Sequence, residues 1–414
     1  MVVLRPFKGI RPATSLVAQV ATHPYDVLNS QEAAELAKDN PYSYLHIDKA
    51  EIDLPEGLSP YDEQVYQKAA SNLKDFLGKG WFIQDEVPTL YLYELTMEGR
   101  AQTGIVATTA IDDYATGHIK KHEYTRHEKE IDRINHIDYT DANTSPIFLT
   151  YRQKADIKKT IENWQETHEP IYDFSSFYDV GHRVWAITDP QVIKQLEQAF
   201  QRVDYLYIAD GHHRTESAVK VGLKRREAFP DAPADSPFNF FLSVIFPKEE
   251  LAIWDYNRVL QVPIPTDLLA QLGQSFVVTP LTDSAYKPKE AGHFGMYLGD
   301  KWYDLAIKPH LIPADAVGKL DAAILQQYVF DAIFAITDIR TDKRIDFVGG
   351  IRGIEELERL VDSGTFSLAF SLYPTSMDQL LAVADADQVM PPKSTWFEPK
   401  LLSGLFLHDL ESPI

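Results

Sequence analysis

The chain contains no cysteine. That absence rules out disulfide staples, thiolate zinc sites, iron–sulfur clusters and a cysteine nucleophile together. Long apolar runs are missing as well, with nothing near the ~18 residues that a membrane-spanning helix needs. The amino terminus, MVVLRPFKGIRPATSLVAQV, is interrupted by Arg5, Lys8 and Arg11, so it lacks the apolar centre of a signal peptide. Basic residues are scarce beside acidic ones, 40 against 61, and the net charge is −21. An average surface of that sign repels nucleic acid and anionic lipid. These absences predict a soluble, cytoplasmic protein with neither a nucleic-acid nor a membrane partner. They leave the oligomeric state open.

Several catalytic signatures are also missing. There is no G-x-x-x-x-G-K-[ST] loop, although PPKST near the carboxyl end has the Lys-Ser-Thr without the glycines. No H-R-D catalytic loop, G-x-S-x-G elbow or G-x-G-x-x-G fingerprint occurs.

What is present is ordinary for a folded protein: 414 residues, 44% hydrophobic and 12% aromatic, enough for two or three cores. No internal repeat or low-complexity tract stands out. Residues 1–21 read as a short strand and a loop. HPYDVLNSQEAAELAKDNPYSYLHI reads as turn, helix, turn and strand, with Asn29 or Ser30 capping the helix and Asn40-Pro41 ending it. An amphipathic helix is predicted over 61–78 from the spacing of Val65, Ala69, Leu73, Phe76 and Leu77. PTLYLYELTM and QTGIVATTAI read as a hairpin turning at EGR. Strands follow at SPIFLTY, RVWAIT, VDYLYIA and NFFLSVIFP, with helices around 153–166 and 190–201. The pattern restarts after about residue 250. The strands and helices lack the strict alternation of a doubly wound sheet, so the predicted class is mixed α/β (α+β). Two α/β regions are expected, 1–250 and 251–414.

The densest chemistry lies in YLYIADGHHRTESAVKVG, over 205–222, where a strand turns at one glycine into a helix. The first amides of a helix have no partner within it, and its dipole adds positive charge there. A glycine lets a ligand approach that backbone closely, which suits phosphate. His212, His213 and Arg214 add donors, and an arginine grips phosphate oxygens with paired hydrogen bonds. Asp210 at the strand's end can hold magnesium or take a proton from a hydroxyl. The competing reading makes Asp210 a helix cap and the histidines surface residues.

GHIKKHEYTRHEKEIDR, over 117–133, is the second cluster. Its H-E-x-x-x-H is one residue longer than the zincin signature, and five helical steps rotate His122 and His127 to different faces. His118 and His122 have i, i+4 spacing that could share a metal. A charge run of this kind otherwise reads as a solvated helix. The third cluster, MPPKSTWFEPK, places Lys393, Ser394, Thr395 and Lys400 around two aromatics. Such a loop either reaches over a nucleotide or pins the terminus by burying Trp396 and Phe397.

Taken in order, FKGIRP, HPYDVL, IKKHEYT…KEIDR, ANTSPIFLTY, ADGHHR, NRVL and MPPKSTWFEPKLLSGL make the whole chain resemble the family of the domain of unknown function numbered 1015. ADGHHR is also similar to the turn of free-serine kinases with the ParB/sulfiredoxin-like fold, where it meets nucleotide phosphates. That resemblance implies a ParB/sulfiredoxin-like phosphate-binding core with an additional α/β subdomain. It implies phosphoryl transfer from ATP or ADP, with magnesium, to free L-serine. Gly211, His212, His213, Arg214 and Thr215, with Lys393, Ser394 and Thr395, would meet the nucleotide. Asp210, Asp26 and His213 would be the catalytic candidates, Asp210 also the magnesium ligand. His122, Glu123, Lys129, Glu130 and Arg133 would lie near the acceptor or a metal. A nucleotide or phosphate sensor without turnover and a metal-dependent hydrolase are the alternatives.

Overall fold

The computed structural model describes residues 1–282 and 285–411, which fall into two compact units. The first comprises Met1–Lys120, Tyr124–Leu251 and the returning segment Pro399–Ile414. The second comprises Lys121–Glu123 and Ala252–Glu398.

The first unit is built on a mixed nine-stranded sheet. Its strands are β1 (Leu4–Arg5), β2 (Leu90–Met97), β3 (Arg100–Ala110), β4 (Ile119–Lys120), β5 (Ile147–Tyr151), β6 (Tyr172–Ser175), β7 (Gly181–Ile187), β8 (Leu206–Asp210) and β9 (Phe240–Pro247). They run in the order β4-β8-β5-β9-β3-β2-β7-β6, with β1 beside the far end of β3. Pairs β4/β8 and β5/β9 are parallel and the others antiparallel. The β2–β3 hairpin turns on Glu98 and Gly99, whose φ values of 51° and 78° suit a two-residue turn and the right-handed strand twist.

Five helices matter here: α1 (Glu63–Gly78), α2 (His127–Thr140), α3 (Ala155–Thr167), α4 (Pro190–Phe200) and α5 (His212–Ala228). Leu92, Ile105, Leu149, Trp185 and Ile208 from alternate strand positions share one core with Ile161 of α3, Leu196 of α4 and Val219 of α5. The other face takes the returning chain, where Phe406 packs on Tyr91 and Tyr93. Both faces are therefore covered, which is why LYLYELTM carries no polar alternation.

Several sequence readings change. The amino-terminal loop contains a second strand, Ile10–Pro12, and a helical turn, Val17–Val20. YSYLHI forms no strand: Leu45–Asp48 is one helical turn, with Tyr44 buried and its hydroxyl donating to the Thr144 carbonyl. Short apolar runs do not distinguish the two states by pattern. The helix before it forms as read, with Asn29 and Glu32 making a reciprocal capping box. His118 and His122 share no helix, because Ile111–Ala115 ends at Gly117 and α2 starts only at His127.

The second unit has a wholly antiparallel six-stranded sheet. Its order is Phe276–Pro280, Lys301–Ile307, His293–Leu298, Leu368–Leu372, Tyr256–Leu260 and Ile345–Gly349. The Lys393 loop belongs to it: Arg258 Nη2 donates to the Lys393 carbonyl at 2.9 Å, and Ser394 Oγ donates to the Pro391 carbonyl. Phe397 is buried.

Gly222 inside α5 tests how tightly that helix seats. A Cβ there would stand 2.5 Å from the Phe238 carbonyl oxygen and 2.8 Å from Ile111 Cδ1. Alanine normally gains about 1 kcal/mol over glycine in a helix. Overpacking reverses the sign, so Gly222→Ala should lose about 1–3 kcal/mol in urea denaturation. Unchanged or raised stability would contradict this packing.

Candidate active site

At the end of β8 the chain turns through Gly211, whose φ of 94° and ψ of 35° lie in the left-handed region that glycine adopts without strain. Gly211 is the N-cap of α5, and no side chain caps the helix. The capping role considered for Asp210 is therefore not filled. Its Oδ1 instead accepts from the Gly211 amide at 2.8 Å, and its Oδ2 faces Lys400 Nζ at 3.3 Å. Burial alone would raise the Asp210 carboxyl, but the charges of Lys400 and Arg214 pull it well below the ordinary range. So firmly ionised a group is a weak base and a strong fixed charge.

The following side chains divide the work. His212 is buried near Asp210, so it is not a surface residue. Thr215 is fully buried and its hydroxyl donates to the Gly211 carbonyl at 3.0 Å, which binds it into the helix. Arg214 folds back over the turn, with Nη1 donating to the Pro146 carbonyl at 2.8 Å. Its Nε would lie 3.1 Å from a Cβ at Gly211. Burial opposes its charge, yet Asp26, Asp210 and Tyr25 outweigh that and hold its pKa above the usual value. His213 Nε2 accepts from the Arg126 amide at 2.9 Å, which places the ring proton on Nδ1. Burial, and then Lys129, push this imidazole down to about 4. It is thus a neutral donor at physiological pH and not a base.

Beside the turn, Tyr25 and Arg133 line two neighbouring hollows, one reaching Arg214 and a larger one of about 160 Å³. Asp26, Asp48, Lys129 and Asp132 line the larger. Arg133 is buried on α2, 4.0 Å above the Tyr25 ring, and donates through Nε to Asp132 at 2.9 Å and through Nη1 to Asp48 at 3.3 Å. The run 127–140 is therefore not a uniformly solvated helix: Glu130, Asp132, Arg133 and His136 are all buried. Glu130 is committed to Lys220 at 2.5 Å and to Thr125, tying α2 to α5 and its preceding loop. Asp26 is exposed at the cavity mouth, and none of the described residues hydrogen-bonds its carboxylate.

The structure thus brings Asp210, Gly211, His213, Arg214, Asp26, Lys129 and Arg133 into one region of the first unit. His122, Glu123 and Lys393–Thr395 fall in the second unit and are described there alone. Asp48 and Tyr25 had no site role in the sequence reading, and Lys400 entered it only as part of the MPPKSTWFEPK loop. Among the described residues no three His, Asp or Glu side chains group as metal ligands. Asp210 is engaged by the Gly211 amide and Lys400 and belongs to no such group. Nor is any described helix long and apolar enough to cross a membrane.

A family model described as a protein of unknown function, DUF1015, matches residues 4–323. The chain belongs to the DUF1015 family. No curated protein matches this DUF1015 chain. Among solved structures it is similar to a free serine kinase in complex with ADP, at 11% identity and a TM-score of 0.35, covering 71% of this chain and 87% of that one. A conserved hypothetical protein from Pyrococcus furiosus gives 13% and 0.36, over 73% and 94%. SbnI from Staphylococcus aureus, truncated at its carboxyl terminus, gives 13% and 0.36, over 72% and 85%.

The depressed His213 makes a pH prediction. The unfolded chain takes up that proton near pH 6.5 and the folded one only near 4. The stability contributed by neutral His213 is complete above about pH 6.5 and is lost as pH falls toward 4. An NMR titration should place the His213 midpoint near 4. His213→Gln should flatten the acid limb of the stability profile, and a midpoint near 6.5 would refute the assigned environment.

Proposed function

We propose that the first unit is a cytoplasmic small-molecule phosphotransferase with a ParB/sulfiredoxin-like core. It would move a phosphoryl group from ATP or ADP to the hydroxyl of free L-serine, giving O-phosphoserine. The observation that carries this reading is an uncapped helix mouth at Gly211, crossed by a guanidinium and adjoining a cavity lined by Asp26 and Arg133.

The parts suit phosphoryl transfer, which needs positioning and charge neutralisation more than covalent help. The first amides of α5 and Arg214 take the terminal phosphates, and His213 adds the Nδ1 proton. Asp210 keeps Lys400 and Arg214 oriented, and it fixes the Gly211 amide. Asp26 is the better base: it is exposed, uncommitted among the described residues and beside the cavity. The acceptor oxygen attacks the terminal phosphorus, the phosphoanhydride bond breaks, and ADP or AMP leaves. The hydroxyl proton passes to Asp26. Magnesium would arrive on the nucleotide's own phosphates. Assigning Lys393, Ser394 and Thr395 to the nucleotide, and His122 and Glu123 to the acceptor, rests on their sequence motifs.

Phosphorus NMR of the protein with ATP or ADP, magnesium and L-serine tests the reaction. A new phosphomonoester signal is expected. Asp26→Asn should lower turnover at least ~100-fold with nucleotide affinity kept, the scale of a lost general base. Arg214→Ala should weaken ADP binding about tenfold or more, and Arg214→Lys should not restore it. Nucleotide binding without any phosphomonoester would make the protein a sensor.

A further inference from the structure

The larger cavity carries a buried carboxylate oxygen without a donor. Asp48 is 3% exposed and lines it. Its Oδ1 accepts from Arg133 Nη1, but its Oδ2, also buried, has no hydrogen-bond partner. A buried carboxylate oxygen left without a donor is costly. Arg133 does not cancel the charge, because its Nε already serves Asp132. Asp132 takes one further donor, the Tyr66 hydroxyl at 3.0 Å, which is neutral. One guanidinium thus hydrogen-bonds two carboxylates, and Arg214, whose charge Asp48 also favours, gives its Nη1 to the Pro146 carbonyl.

The other neighbours do not supply the missing donor. Both ring nitrogens of His136 are occupied, by the Ile47 carbonyl and by Thr144 Oγ1. Burial and then Arg133 hold that imidazole below its ordinary pKa, so it is neutral. Lys49 is spent on Glu51 at 3.1 Å. Lys129 is exposed, as is Asp26, and the two balance at the mouth.

We propose that Asp48 is the ammonium receptor of the acceptor subsite: the small molecule filling this cavity carries a primary amine, which donates to Asp48 Oδ2. The word acceptor rests on the phosphotransferase reading; the amine does not. An alkylammonium supplies the absent donor and carries a charge that suits a carboxylate, and its three N–H groups can serve more than one acceptor. A cavity of about 160 Å³ has room for a molecule the size of a small amino alcohol or amino acid. Asp48 would thereby select amine-bearing hydroxy compounds over hydroxy acids of the same length.

The test is calorimetric titration of the full chain, with and without ADP, against L-serine, ethanolamine and 3-hydroxypropionate. L-Serine and ethanolamine should bind, with 3-hydroxypropionate at least tenfold weaker. Asp48→Asn should erase that preference while ADP affinity stays within twofold. Should the variant fail to fold, the three-ligand comparison on the unaltered protein decides alone. Equal binding of 3-hydroxypropionate and L-serine, or no binding of either amine in both conditions, overturns the assignment. Amine-selective binding without a phosphomonoester would sink the phosphotransferase and leave Asp48 standing. A phosphomonoester formed equally well on acceptors lacking an amine would do the opposite.

Discussion

A single buried guanidinium organises the candidate site. Arg133 stacks on Tyr25, pairs with Asp48 at the end of a four-residue helix, and holds Asp132 on its own helix. Three segments distant in sequence are thereby fixed around one cavity. Removing one partner of a buried pair strands the other's charge, at about 3–5 kcal/mol. The HPYD turn, the cavity floor and α2 therefore stand or fall together. Asp26 owes its position to Tyr25, its neighbour in the chain.

The second organising feature is the backbone at Gly211. Positive φ there swings the chain from strand to helix in one residue and sets the first amides of α5 at the carboxyl end of β8. The surrounding side chains sort by charge rather than by hydrogen-bond count. Asp210 is pinned as an anion between Lys400 and its own neighbouring amide, whereas His213 is pinned as a neutral ring. Fixed charges of this sort cost no reorganisation when a phosphate arrives, because they are already oriented.

Much of this was legible in the residues themselves. The β8–α5 turn, the hairpin at Glu98-Gly99 and the capped helices follow from local chemistry, since each signal spans only a few positions. The charge run of α2 was not legible. Arg133 meets Asp48 across 85 positions, and a helix read alone shows no sign of what covers it. Lys400 reaches Asp210 across 190 positions, after the chain has left the first unit and returned. Asp48 was hidden for another reason: it ends a short apolar run whose pattern fits strand and helix equally. The basicity of His213 depends on burial, which no spacing encodes.

The central claim is that an oxyanion of a nucleotide settles on the amides just past Gly211. Titration of isotope-labelled protein with ADP, followed through backbone amide shifts, tests it most directly. The account predicts the largest, saturable shifts at residues 211–214, with smaller ones at Asp26 and Arg133. Shifts that saturate elsewhere while those amides stay still would contradict it.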